Sequence, residues 1–342
     1  MTTKSAGKKP GLFSRIDQHV LRLLLVMAVW MVFMGLTRAS RFYTLINFQT
    51  MASQFPEFGL MSLGVMLCMI TGGIDLSPVG VANLVAILMA LFLKQLVPTE
   101  GGLPVYAIPL VFVLGALIGA CLGILNGLLV SKIRIPPILA TLGMSELLTG
   151  VAIVITGGAA VSGLPVEYAM TVNNKIGGML PVQLMIFGVM AFIVWFLLNR
   201  TTFGTKIYLL GTNPKAARFS GLKNDRLIIS TYMISGITAA LGGLVMLANY
   251  NSARANYGSV YVLQCILVVV LGGVSPTGGK GRISGVVLAI VLLRMLETGI
   301  NRFPQISSYY ISLIWGGVLL LVMVLDYFSA AGRPGKRRRQ TL

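Results

Sequence analysis

Apolar residues in this chain run in unbroken stretches of roughly twenty, divided by short clusters rich in Gly, Pro, Lys and Arg. The stretches fall at 20–37, 52–71, 77–97, 105–130, 136–157, 180–199, 227–249, 259–274, 283–300 and 308–327. None shows the two-residue alternation of a half-buried strand, so each reads as a helix. At ~1.5 Å per residue such a helix matches the ~30 Å hydrocarbon core of a bilayer. Lipid offers the backbone no hydrogen-bond partners, and a helix satisfies its own. The pattern therefore predicts an all-α polytopic membrane protein with about ten transmembrane helices.

Composition agrees. Only 11% of the 342 residues are charged, 56% are hydrophobic, and the mean hydropathy is +0.86. A water-soluble domain keeps about a quarter of its residues charged. The net charge of +18 suggests an anionic partner until the charges are placed. Of the 27 Lys and Arg, 20 fall on one side of the predicted topology, within 4–22, 132–134, 200–226, 280–282 and 333–339. Arg38, Arg41, Lys94, Lys175, Arg254 and Arg302 fall on the other, and Arg294 lies inside a span. The positive-inside rule then puts both termini in the cytoplasm. The basic excess reads as a topology signal with some affinity for anionic membrane lipid, and not as a nucleic-acid surface.

The chain divides into a basic cytoplasmic N-terminus at 1–19, a transmembrane domain at 20–327 and a basic cytoplasmic tail at 328–342. The first apolar run is too long for a signal-peptide core, and "TRASRFY" carries no small-x-small cleavage site, so an uncleaved first helix is expected. Cys68, Cys121 and Cys265 lie far apart in apolar runs with no C-x-x-C, and each reads as a buried small hydrophobe.

Two loops are long. The external one, 158–179, is polar and Gly-rich; the internal one, 200–226, holds six Lys or Arg and one acid, Asp225. Within the internal loop "NPKAARFSGL" predicts a short helix: Asn213 as N-cap, Pro214 at the first position, Ala216 and Ala217 inside, Gly221 as the stop. It serves either as a solvated basic turn or as a docking element for a cytoplasmic partner. In the fourth span "GALIGACLGILNG" sets Gly115, Gly119, Gly123 and Gly127 four apart, a flat ridge on which another helix can pack closely; lining a path is the other use. Asn126, at the ridge's cytoplasmic end, can hydrogen-bond across that contact.

"TGGIDLSPVG", 71–80, interrupts the apolar pattern. Gly72 and Gly73 can end one helix without a side-chain penalty, Ser77 can cap the next, and Pro78 suits its first position. Asp75 then lies near the positive end of that helix's dipole, where a carboxylate is favoured. The residue types specify a helix break carrying a stabilised acid. "VVVLGGVSPTGG", 268–279, echoes it in form.

Enzyme chemistry finds no support. His19 is the single histidine, and H-E-x-x-H is missing. "GVSPTGGKGR" resembles a phosphate loop but carries Val274 where glycine is needed and Gly281 where Ser or Thr is needed. No cofactor or metal site is expected in this chain. Transport remains, and ionisable residues inside spans are its first suspects: Asp75, Glu146, and Arg294 with Glu297, three apart on one helix face. The last two form either a structural ion pair or part of a path, and three carboxylates keep an ion-coupled secondary carrier as the alternative.

The chain resembles the permease subunits of bacterial ABC sugar importers of the ribose type, which also handle xylose, arabinose, rhamnose and autoinducer-2. The resemblance rests on "TGGIDLS" at 71–77, "LNGLLVSKIRIPPILATLG" at 125–143, "GTNPKAARFSGL" at 211–222, "VVVLGGVSPTGGKGRISG" at 268–285 and "SSYYISLIWGGVLLLVMVLDY" at 307–327. It implies a homodimer or heterodimer of permeases, a separate cytoplasmic ABC ATPase that holds ATP and Mg, a periplasmic sugar-binding protein, and residence in the inner membrane. It also implies that the internal loop contacts the ATPase through the positions held here by Gly211, Asn213, Ala216, Ala217, Ser220 and Gly221. The translocation path is expected among Gly72, Gly73, Asp75, Ser77, Asn126, Glu146 and Glu297. The chain departs from the family at Pro78-Val79-Gly80, where Val-Gly-Ser is usual, and at Thr149-Gly150, where Arg often precedes the glycine.

Overall fold

The structure, a computed structural model, describes residues 18–96, 102–303 and a few isolated positions between 305 and 324. The described residues form α1 (Gln18–Phe42), α2 (Leu45–Gln54), α3 (Pro56–Ile70), α4 (Pro78–Leu96), α5 (Ala107–Ser131), α6 (Pro137–Thr156) and α7 (Val166–Val172). A two-residue hairpin follows, β1 (Lys175–Ile176) and β2 (Leu180–Pro181), antiparallel with Ile176 opposite Leu180. Then come α8 (Val182–Arg200), α9 (Thr202–Thr212), α10 (Pro214–Phe219), α11 (Asn224–Tyr250), α12 (Tyr261–Leu271) and α13 (Ile283–Ile300). The chain is an all-α polytopic membrane protein. Proline opens α3, α4, α6 and α10, the position where its missing N–H costs nothing.

Seven helices, α1, α4, α5, α6, α8, α11 and α13, are long and apolar enough to cross a membrane, and the pair α2 and α3, bent by 42°, makes an eighth candidate. Two of the ten expected spans differ. The second is this broken pair: Pro56 cannot donate to the preceding turn, so the helix starting at Leu45 turns at Phe55 before α3 begins. The eighth shrinks to the 11 residues of α12, about 16 Å long, because Gly272 and Gly273 end it and Gly273 takes φ +84°. The tenth, 308–327, lies almost wholly outside the described residues.

α11 is the hub, packed against α3, α4 and α5. The glycine ridge of α5 makes the closest of these contacts. A side chain at Gly119 would enter the carbonyl of Gly236, and one at Gly127 would come within 2.6 Å of the Ile229 Cα. The ridge is thus a backbone-to-backbone seam, which brings packing and weak polar contacts where lipid supplies no hydrophobic drive between helices. Because the ridge faces inward, Cys121, two residues from Gly119 and from Gly123, points to the outside of α5 and is exposed; Cys68 and Cys265 are buried as expected. Every residue of α3 is buried. The loop at 158–179 is more closely packed than its composition suggests: Tyr168 of α7 is buried and donates to the Leu244 carbonyl of α11 at 2.9 Å.

Candidate functional site

The break between α3 and α4 sits deep in the protein. α3 ends at Ile70, Gly72 takes φ +89°, and the N–H of Gly73 returns to the Cys68 carbonyl at 3.1 Å, so the glycines close the helix as the sequence predicts. Asp75 is 3% exposed. One carboxylate oxygen accepts from the Ser77 N–H at 2.9 Å and the Ser77 hydroxyl at 2.7 Å, and the other accepts from the Ser235 hydroxyl at 2.7 Å. Ser77 in turn accepts from the Asn126 amide at 2.7 Å. Two local readings are thereby corrected. The Ser77 hydroxyl bonds Asp75 and Asn126 instead of capping α4, and Asn126 reaches this break instead of bonding across the ridge to α11. Neighbouring chain segments compete for the same polar groups, and a buried carboxylate is the strongest acceptor available.

Four elements meet at this acid. Thr141 of α6 accepts from the Leu76 N–H at 3.0 Å, and the Tyr232 hydroxyl of α11, buried and without a partner among the described residues, faces Gly73. Ser235 lies 11 residues into α11, so the break reaches about 16 Å past the start of that helix. Of the expected path residues, Gly72, Gly73, Asp75, Ser77 and Asn126 therefore converge. Glu146 and Glu297 do not. Glu146 is exposed on the outer face of α6. Glu297 pairs with Arg294 at 2.8 Å toward the far end of α13.

That pair lines a second polar centre, a cavity of about 400 Å³ walled by the near ends of α2, α3, α8, α11, α12 and α13. It contains Glu57, 3% exposed, which accepts from the Tyr261 hydroxyl at 2.6 Å and the Asn249 amide at 2.5 Å. Asn249 stands 14 residues beyond Ser235, so about 21 Å of α11 separates the two centres. Periodicity marks none of Glu57, Gln183, Asn249 or Ser235 as special, because each is a lone polar residue near or within an apolar run. A lone intramembrane carboxylate such as Glu57 is the signal that could have been read.

The loop at 200–226 folds as α9 and α10. Asn213 accepts from the Ala216 N–H at 3.0 Å, Pro214 is the first helical residue, and Gly221 takes φ +80° just beyond the end. Asn213, Ala216, Ser220 and Gly221 are exposed and Ala217 is buried. Phe219, which the capping pattern does not single out, is 93% exposed at the tip. Gly211 is buried at a triple contact, where any side chain would enter the Ile70 carbonyl and the Gly279 N–H. Those two groups bond each other at 2.8 Å. So α9–α10 rests on the end of α3, immediately before Gly72, and on the loop after α12, the two segments that echo each other in sequence. No group of three or more metal-ligating side chains occurs among the described residues.

The family described as "branched-chain amino acid transport system / permease component" matches residues 47–323. The chain belongs to this permease family. The ribose import permease protein RbsC of Escherichia coli K12 is 34% identical over 299 residues, covering 85% of this chain and 88% of that protein. The galactose/methyl galactoside import permease protein MglC of Haemophilus influenzae is 28% identical over 339 residues, 96% of this chain and 99% of that protein. The autoinducer 2 import system permease protein LsrD of an Enterobacter species is 32% identical over 283 residues, 80% and 82% of the two chains. No solved structure matches. The permease is a multi-pass inner-membrane protein, a transport component by family.

Proposed function

We infer that this permease is the membrane subunit of an ATP-driven ABC importer for a monosaccharide or a similar small polar carbohydrate. The relatives named for ribose, galactose and autoinducer 2 import align over most of their length, and this supports a sugar over the amino acid in the family's description. ATP and Mg belong to a separate cytoplasmic ATPase, a periplasmic binding protein delivers the sugar, and a second permease copy or paralogue completes the pore. Ten spans with both termini cytoplasmic is the topology that the 20-to-6 split of Lys and Arg favours.

One observation carries the mechanism: α10 stands exposed while its neighbour Gly211 is wedged against Ile70 and Gly279. A packed backbone contact of this kind passes displacement on without yielding. When the ATPase closes on ATP, it pushes α10, and the seat at Gly211 transfers that motion to the end of α3 and the break at Asp75. The spans around the break tilt, and the sugar passes without any chemical change. Gly221→Trp tests the docking step, since a bulky residue is forced to φ +80° beside the contact face. Uptake in whole cells should collapse while membrane insertion stays normal, and unimpaired uptake would remove the docking role. An ion-coupled carrier makes the opposite energetic prediction, uptake abolished by a protonophore while ATP persists.

A further inference from the structure

We propose that the cavity between Glu57 and Arg294 is a binding site for one small polyhydroxylated solute, present within each permease chain. Polar groups near the membrane cost free energy unless paired, and this cavity gathers many of them. Most are paired with one another. The Gln183 amide donates to Asn173 at 2.5 Å and to Asn249 at 3.2 Å, Asn249 donates to Glu57, and Arg294 donates to Glu297 and to Gln54. Two atoms are left over. The Gln183 Oε1, on a side chain 1% exposed, and the Arg294 Nε have no partner among the described residues.

One is a pure acceptor and the other a pure donor, and both are closed off just behind the wall that their residues form in the same cavity. A hydroxyl group answers both needs once the two side chains turn toward it, because it donates to a carbonyl oxygen and accepts from an N–H. The cavity's charges balance, Glu57 and Glu297 against Lys175 and Arg294, so a neutral solute meets no net field. Tyr250 and Tyr261 add aromatic wall, and 400 Å³ lies at the small end of ligand pockets, about 300–1,000 Å³. Size, neutrality and an unfilled donor–acceptor pair together describe a monosaccharide or a polyol. The cavity lies about 21 Å along α11 from Asp75, so it is a holding site separate from the break. The choice of sugars as probes rests on the function proposed above; the chemistry of the cavity does not.

The test uses the purified full chain in lipid nanodiscs, without ATPase or binding protein. Ser53 lines the cavity and its hydroxyl bonds only its own helix, to Thr50 at 2.9 Å, so Ser53→Cys in a Cys121→Ser background places a reactive thiol there. D-ribose or D-galactose at ten times its Kd should slow maleimide labelling about 10-fold and saturably, and L-leucine should leave it unchanged. Gln183→Leu should abolish the protection, read against that variant's own labelling rate in the absence of sugar. Arg294→Lys, which keeps the charge and deletes Nε, should weaken it even where Gln183→Leu fails to fold. Absence of saturable protection by ribose, galactose and xylitol overturns the site, as does protection by leucine in their place or protection indifferent to both variants. ATP-dependent uptake by the assembled transporter is measured alongside. Uptake without protection discards this site and leaves the proposed function standing; protection without uptake does the reverse.

Discussion

Asp75 offers a quantitative handle on what holds the break together. Its two oxygens accept three strong hydrogen bonds, from the Ser77 N–H, the Ser77 hydroxyl and the Ser235 hydroxyl, and a weak fourth from the Cys68 thiol at 3.9 Å, in a site 3% exposed. Asp75→Leu strands the Ser77 N–H outright and leaves two hydroxyls to find other acceptors. A buried donor left unsatisfied costs about 1–3 kcal/mol, and with partial rescue of the hydroxyls the total comes to about 3–5 kcal/mol. Asp75→Asn keeps one carbonyl oxygen for Ser77 and turns an amide N–H toward Ser235, whose oxygen can accept it. What Asn gives up is the charge assistance, about 1 kcal/mol. The gap of about 2–4 kcal/mol is a large share of a typical stability of about 5–15 kcal/mol. The full chain in mild detergent, heated in steps and assayed for the monodisperse fraction, should survive in the order parent, Asn, Leu, with Ser235→Ala near Asn. Equal loss in Asn and Leu would refute the acceptor argument and make the negative charge itself the requirement.

Three further outcomes follow from the contacts. Gly123→Ala drives a methyl into the Tyr232 carbonyl and within 2.9 Å of the Met233 Cα, so it should cost about 1–3 kcal/mol in the same melt. Gly143→Ala on α6 meets nothing within 4 Å and should stay within about 0.5 kcal/mol; similar losses in both would mean the ridge is not the reason. Phe219→Ala, at a residue 93% exposed, should leave thermal stability intact and weaken retention of the proposed ATPase partner by at least about 2 kcal/mol, roughly 30-fold. Full retention would move the docking surface elsewhere. Gly211→Ala should let the ATPase bind yet lower uptake, because the methyl would separate α9 from Ile70 and Gly279; normal uptake would show that this seat transmits nothing.

Features written in consecutive residues were legible without the structure. The α13 bounds match the apolar run at 283–300, the α10 cap follows from Asn213 and Pro214, and the ridge of α5 faces a helix as its four-residue spacing demands. These are local consequences of helical period, capping and the absence of a side chain, so a short window contains their cause. Averaged hydropathy did worse where one residue decides. Pro56 breaks a continuous apolar run, and Gly273 cuts α12 to a length that no window of Val and Leu reveals.

The sites belong to the other category. The acid at 75 takes its third hydrogen bond from Ser235, 160 residues away, and the second polar centre draws Glu57, Gln183, Asn249 and Arg294 from four different helices. Each of these residues, read singly, is one polar letter among apolar neighbours. Their sequence separations have no characteristic value, since they are set by which helix ends pack together and not by any repeat along a helix. Sequence alone thus determined that the chain spans a membrane, where most of its helices lie and which segment is capped for exposure. Which polar groups share a cavity, and which of them remain unpaired there, was decided only by tertiary packing. A buried hydrogen-bonding group must find its partner in space, whatever its distance along the chain.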